Sequence, residues 1–439
     1  MEINARSAAL EALERCIKSG AWSGAAIDNV IKRSALDSRD SALASRLCLG
    51  VLQNKDYCDY CIGLFYNKAL EKLESKVLNI LRLGAYQLLF LDKIPARAAV
   101  NESVELCRQC GCSRASGLIN AVLRKISCRE EAFPEVPGKG SAEYLAIRYS
   151  HPKWLVERII SLHGYDFAEA YLLKNNGISK LSIQINRLKV SVSDYLKALD
   201  RMDINYSTIE GLEGCVMLDG GKVSYLPGFE EGLFYVQDPA ARMAVEAANI
   251  KPGMCILDAC SAPGGKSFAA AISMNNCGSI MSCDIHEKKL SLIKSGADRL
   301  GIDIISTKAR DAREYSEELC ENFDVIIADV PCSGLGVIGK KPEIRGKDPN
   351  EISGLPTIQK EIINNLSSFV KPGGTLLYST CTIFPEENEE IINQFLSTHS
   401  DYYLEDFTVG SVSSENGMYT FWPNVDDTDG FFAAKLRRK

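Results

Sequence analysis

The sequence predicts an α/β chain with an all-α front, a small α+β subdomain and a doubly wound parallel sheet at the back. Three observations predict it. From Ala5 to about Ile126, apolar residues recur at three- and four-residue spacing, as in Ala9, Leu10, Leu13 and Ile17. From residue 253 onward, short apolar runs alternate with helical stretches, the pattern of βαβ units. Between them, Ile256-Leu-Asp-Ala-Cys-Ser-Ala-Pro-Gly-Gly-Lys-Ser267 passes from an apolar run ending in an acid into a glycine-rich loop. That is the form of a buried parallel strand whose carboxyl end opens into a crevice.

At 439 residues the chain exceeds one core, and 46% apolar against 24% charged residues describes a soluble globular protein. It shows neither a secretion signal nor an apolar run near membrane-spanning length, so a cytoplasmic monomer without membrane contact is expected. Its 16 cysteines, scattered through a large chain, read as reduced thiols. Cys58-Asp-Tyr-Cys61 and Cys107-Arg-Gln-Cys110 have zinc-ligand spacing, but both sit in helical contexts without the usual glycine-rich knuckles, so no metal is expected. Net charge is −7, yet residues 1–128 hold 18 Lys and Arg against 13 Asp and Glu, a balance of +5. A mildly basic front on an acidic body suits a module that docks nucleic acid; ordinary solvated helix faces are the plainer explanation.

Taken in order, Asp37-Ser-Arg-Asp40 starts a helix in the front and Ile94-Pro95 stops one. Residues 127–142, with Pro134, Pro137, Gly138 and Gly140, read as a linker. Helical segments after His151 and the alternating Leu181-Ser-Ile-Gln-Ile-Asn-Arg187 give the small α+β subdomain, placed at 143–237. A loop or hairpin at 228–237 feeds Asp238-Pro239, a helix start with an acid cap and proline at the first helical position. The back domain, 238–439, then runs strand 254–260, helix 265–274, strand 279–285, helix 287–300, strands 304–309 and 324–329, helix 356–370, strand 374–380 and helix 386–397. Gly430-Phe-Phe-Ala-Ala-Lys-Leu436 closes it as a strand.

Gly-Gly-Lys-Ser at 264–267 imitates the end of a P-loop, but the glycine needed five positions before Gly265 is Cys260, and Pro263 removes a backbone donor. A G-x-G-x-x-G fingerprint is absent. The helix opening near Ser267 offers free amides to an anionic group of a nucleotide-like cofactor. Asp284 ends the second strand, where an acid takes a ribose diol; Asp311 follows the third and suits an adenine amino group; Asp329 ends the fourth. Cys332, in Asp329-Val-Pro-Cys-Ser-Gly-Leu-Gly336, and Cys381, in Tyr378-Ser-Thr-Cys-Thr-Ile-Phe-Pro-Glu-Glu-Asn388, fall just past the fourth and fifth strands. If those strands are neighbours, about 4.8 Å apart, both thiols overhang one crevice. A single cysteine is ordinarily a small buried hydrophobe, as expected of Cys255 and Cys283.

The segments 81–90, 94–102 and 117–124 resemble the NusB-like RNA-binding helical domain. Asp-x-x-x-Ala-Pro-Gly-Gly-Lys, Asp-x-Pro-Cys-Ser-Gly and Ser-Thr-Cys-Thr…Glu-Glu-Asn resemble the motifs of the NOL1/NOP2/Sun family of RNA 5-methylcytosine methyltransferases. With its front domain, essentially the whole chain resembles those members that methylate a cytosine of 16S ribosomal RNA. The resemblance implies a Rossmann-like class I methyltransferase domain with S-adenosylmethionine as cofactor, bound by Cys260, Ser261, Ala262, Pro263, Gly264, Gly265, Lys266, Asp284, Asp311 and Asp329. It implies Cys381 as nucleophile, Cys332 in product release, Asp329 on the cytosine edge, and unassembled or early-assembly 16S rRNA as partner. A thiol near its ordinary pKa needs activation, for which Lys266 is a candidate. The sequence departs from the family pattern at Ser261 and Ser267, and in Pro342-Glu-Ile-Arg-Gly346, where an aromatic residue often follows the basic position; how the target base is held is therefore not implied. The competing readings are a transfer RNA target, a P-loop ATPase, a small-molecule methyltransferase, and an RNA-binding factor without catalysis.

Overall fold

The structure, a computed structural model, describes residues 4–128, 134–177, 180–219 and 223–439. It divides into two compact units, Met1–Gly177 with Ile338–Lys347, and Ile178–Val337 with Asp348–Lys439.

The first unit is helical. Asn4 caps Ala5–Ser19 through a reciprocal bond with Ser7, and Asp37 caps Ser38–Gln53 by accepting from the Asp40 N–H at 2.7 Å. The helix Ser75–Phe90 is apolar nearly all round and forms the centre, with Ile80, Leu81, Leu83 and Ala85 buried under Ala5–Ser19, Ser38–Gln53, Ala96–Gln109 and Ser116–Ser127. The expected linker lies partly outside the described residues, at 129–133.

Helices Ala142–Tyr149, Lys153–His163 and Tyr165–Asn175 belong to this unit. The division expected at residues 128 and 143 does not follow the contacts there, because Tyr144 and Ile147 pack on the helical core and Ser150 Oγ accepts from the Tyr57 N–H at 3.0 Å. Segment 338–347 also belongs here. Its Arg345 donates to the carbonyls of Gln53, Tyr149, Ser150 and Asn175 and to Asn176 Oδ1. The guanidinium thus serves the carboxyl ends of three helices, where the helix dipoles favour a cation.

In the second unit, four antiparallel strands, β1 (Leu181–Ile185), β2 (Tyr206–Thr208), β3 (Cys215–Leu218) and β4 (Phe234–Val236), lie in the order β2-β3-β1-β4 with helix Val192–Arg201. The main sheet comprises β5 (Cys255–Asp258), β6 (Ser279–Asp284), β7 (Ile305–Ala309), β8 (Phe323–Asp329), β9 (Val370–Thr380), β10 (Tyr402–Leu404), β13 (Met418–Phe421) and β14 (Phe431–Arg438), with β11 (Thr408–Val409) and β12 (Val412–Ser413) forming a separate hairpin. Its order is β10-β14-β9-β8-β5-β6-β7, parallel from β9 to β7 and antiparallel around β14. Alternate residues feed two cores. Ile256, Val325 and Ile327 face helices Pro239–Ala247, Gly265–Ser273 and Glu287–Leu300, while Leu257, Ile326 and Ala328 face Leu355–Ser367 and Glu389–Thr398. Covering both faces buries the central strands and makes runs such as Val325-Ile-Ile-Ala328 of β8 apolar, while the edge strand β7 stays largely exposed. This is the doubly wound, Rossmann-like arrangement expected.

Several bounds differ from expectation. Strand β9 begins at Val370 and runs through Pro372, and the helix before it ends at Ser367. The helix expected at 386–397 is a 3₁₀ turn, Pro385–Glu387, followed by Glu389–Thr398. Among the described residues, no helix is long and apolar enough to cross a membrane.

Gly336 and Gly430 lie backbone to backbone, the Gly430 N–H donating to the Gly336 carbonyl at 2.9 Å, and a Cβ on Gly336 would sit 1.9 Å from the Gly430 oxygen. Gly336→Ala is therefore expected to destabilise the second unit by on the order of 2–4 kcal/mol in thermal unfolding. Gly354→Ala, whose Cβ meets nothing within 4 Å, serves as control and should unfold like the parent chain.

Candidate active site

Strand order reverses between β5 and β8, and crevices form outside the carboxyl ends at such a switch point. The loop leaving β5 is pinned by Ser261, whose N–H and hydroxyl both donate to the Cys283 carbonyl, at 2.7 and 2.9 Å. Gly264 has φ +113°, and a Cβ there would meet the Phe268 ring at 2.6 Å, so only glycine fits. Helix Gly265–Ser273 follows without a side-chain cap on its first turn. Beneath it, buried Asp258 accepts from Ser267 Oγ at 2.6 Å, and Ser267 Oγ meets Ser282 Oγ at 2.7 Å. The serine that departs from the family pattern at 267 thus keeps a hydroxyl that ties β5 to β6.

The expected acids are dispersed along the strand ends. Asp284, buried at the end of β6, accepts from the His286 N–H at 2.9 Å. Asp311 is held by Arg313 at 2.6 Å, which keeps its carboxyl below the usual range. Asp329 ends β8 and accepts from Ser379 Oγ at 2.9 Å; its other oxygen lies 2.6 Å from Lys266 Nζ. Lys266, expected to activate a thiol, is thus bound to a carboxylate, with Phe431 at 5.0 Å under its ammonium.

Strands β8 and β9 are parallel neighbours with Asp329 opposite Ser379. Their loops bring Cys332 Sγ to 3.2 Å from Cys381 Sγ. The bond to Cys381 raises the Cys332 thiol well above its ordinary value, reinforced by burial and the negative charges of Glu387 and Asp329. Burial likewise pushes up the thiols of Cys260 and Cys283, the latter to about 11.

Residues not foreseen hold these loops together. Buried Glu387 accepts from the Ser333 N–H at 2.9 Å, Ser333 Oγ at 2.5 Å and Gln359 Nε2 at 2.9 Å, and its carbonyl accepts from Tyr378 OH at 2.6 Å. Asn388 Oδ1 accepts from Thr380 Oγ1 at 2.6 Å, and its amide donates to the Thr382 carbonyl at 3.2 Å. The sequence signal for them was the Glu-Glu-Asn of the third motif. The stretch Pro342–Gly346, by contrast, is a 3₁₀ turn of the first unit. Among the described residues, no three of His, Cys, Asp and Glu gather to hold a metal ion.

Comparison with known proteins accords with this geometry. The model of the 16S rRNA methyltransferase RsmB/F family matches residues 245–437, that of the NusB family 3–128, and a ferredoxin-like domain of RsmF/B-like methyltransferases 151–224. A probable ribosomal RNA small subunit methyltransferase B of Bacillus subtilis is 36% identical over 99% of this chain and 98% of its own. The chain belongs to the RsmB family of methyltransferases. The corresponding protein of Klebsiella pneumoniae is 33% identical over 100% of this chain and 99% of its own. The crystal structure of PH0851 covers 100% of both chains with a TM-score of 0.82 at 26% identity. A methyltransferase homolog from Pyrococcus horikoshii covers 69% of this chain and 100% of its own, with a TM-score of 0.61 at 27% identity.

One buried group in this family site titrates far from its ordinary range. Burial pushes the Asp258 carboxyl up to about 7, partly opposed by the Ser267 hydroxyl and the Lys266 charge. The folded chain therefore holds this proton to higher pH than the unfolded chain, where the carboxyl titrates near about 3.9. Its contribution to stability is present below about pH 4 and is lost as pH rises through about 7. Asp258→Asn should gain on the parent chain across that window by on the order of 3 kcal/mol in denaturant titrations. Parallel stability curves for the two proteins would exclude a buried, proton-holding Asp258.

Proposed function

We propose that this methyltransferase modifies C5 of a cytosine in 16S rRNA through a transient bond between Cys381 and C6 of the base. The observation that carries the reading is the pair of thiols 3.2 Å apart, beyond adjacent parallel strands and beside Asp329. The names of the full-length relatives support ribosomal RNA of the small subunit as substrate.

The residues present fit S-adenosylmethionine. The uncapped start of helix Gly265–Ser273 suits its carboxylate, the tight Gly264 turn permits close approach, Asp284 suits the ribose hydroxyls and Asp311 the adenine amino group. When bound, the group supplies an electrophilic methyl on a sulfonium. Cytosine C5 is a poor nucleophile, so the chain first makes it enamine-like: the Cys381 thiolate adds to C6. Asp329 holds the N3/N4 edge by accepting from the N4 amino group as the thiolate adds. After C5 takes the methyl group, a base removes the C5 proton and the C6–sulfur bond breaks, restoring the ring. Cys332 assists that release. The base must be extruded or single-stranded to reach these groups. In this reading residues 1–128 dock RNA, 143–237 support the substrate and 238–439 carry the chemistry.

Cys381→Ala is expected to lose transfer of labelled methyl to small-subunit RNA by at least about a thousandfold. Retained turnover would refute the nucleophile assignment. Cys332→Ala is expected to accumulate protein covalently joined to methylated RNA on denaturing gels, and free release of product by that variant counts against its role.

A further inference from the structure

Two thiols in van der Waals reach of one another pose a selectivity problem, since one must act as the anion while the other stays protonated. Nothing in their spacing distinguishes them. The loop that carries Cys332, however, is held by a carboxylate that the proposed chemistry does not use. Glu387 is 4% exposed and, among the described residues, carries no cationic partner among its hydrogen bonds. Its three donors are the Ser333 N–H, Ser333 Oγ and Gln359 Nε2, so two of the three come from the residue next to Cys332. Gln359 also donates to the Pro331 carbonyl at 3.0 Å, on the other side of Cys332. Burying a carboxylate is costly, and neutral donors repay that cost only with close geometry.

We propose that Glu387 is the positioning residue that gives the two thiols unequal roles, clamping the Cys332 loop so that its S–H points at Cys381. The inference rests on the two-cysteine reading above. The clamp acts on both loops: Ser333 Oγ also meets Thr382 Oγ1 at 2.8 Å, and Gly336 N–H donates to the Cys381 carbonyl at 3.0 Å. The charge of Glu387 acts on the Cys332 thiol. Cys332 faces Cys381, Glu387, Asp329 and the Tyr378 phenol, and Lys266 is paired with Asp329. Each acid disfavours a second negative charge at Cys332, and a protonated Cys332 is then a donor to an anionic Cys381. In this proposal the order of ionisation is set before RNA arrives, at a residue the proposed chemistry does not use.

The test is the pH dependence of iodoacetamide alkylation of Cys332 and Cys381 in the full-length protein, resolved by peptide mass spectrometry. Glu387→Gln, which keeps the shape and removes the charge, is expected to move the Cys332 profile to lower pH by about one unit, or about tenfold faster alkylation at pH 8. Glu387→Asp, which keeps the charge, is expected to restore a profile close to the parent. A Cys332 profile unmoved in folded Glu387→Gln, or shifted equally in Glu387→Asp, overturns the proposal. Should Glu387→Gln fail to fold, the Asp variant decides alone: a parental Cys332 profile supports the role and a shift to low pH overturns it. Alkylation needs neither RNA nor methyl donor, so the two readings fail separately. Methyl transfer by Cys381→Ala sinks the two-cysteine chemistry, whereas loss of transfer with an insensitive Cys332 sinks only the role of Glu387.

Discussion

The parallel pairing of β8 with β9 is the constraint from which the site follows. With Asp329 opposite Ser379, both strands end at the same level of the sheet, and two to three further residues on each carry a thiol to the same point. A slip by one residue would turn every side chain of one strand to the opposite face and part the sulfurs. The register is guarded by burial on both faces, since Val325 and Ile327 enter one core while Ile326 and Ala328 enter the other. The close Gly336–Gly430 contact, in turn, seats the loop after β8 against the start of β14.

Polar groups then convert proximity into asymmetry. The Lys266 ammonium lies on Asp329, and the negative charge of Glu387 acts on Cys332. Both acids oppose an added negative charge at Cys332, so the two thiols cannot both ionise cheaply. The side of the crevice beyond β5 and β6 is built differently. There an uncapped helix start, a glycine with no room for a Cβ and a buried acid at the next strand end are all supplied by backbone geometry.

The central strands β5 and β8 were legible because they are buried on both faces and so read as apolar runs, Ile256-Leu257 and Val325-Ile-Ile-Ala328. The thiols were legible because prolines and small residues mark strand ends as loops. The clamp was not. Pro385-Glu-Glu-Asn388 reads as the first turn of a helix, since glutamate is a good helix former, and only the tertiary structure draws Glu387 inward. Strands β10 and β13 span three and four residues, too short for alternation to register, and exist by pairing with β14. Lys371-Pro-Gly-Gly374 reads as a turn but continues β9. The placement of helices 142–175 and of Arg345 depends on contacts between distant segments, to which local pattern is blind.

The account stands on which sulfur meets the pyrimidine. Small-subunit RNA carrying 5-fluorocytidine at its modification site cannot lose the C5 substituent as a proton, so the covalent adduct should persist and can be mapped by proteolysis and mass spectrometry. The account predicts the nucleotide on the peptide containing Cys381, with Cys332 unmodified. An adduct on Cys332, or turnover with no adduct at either cysteine, would contradict it.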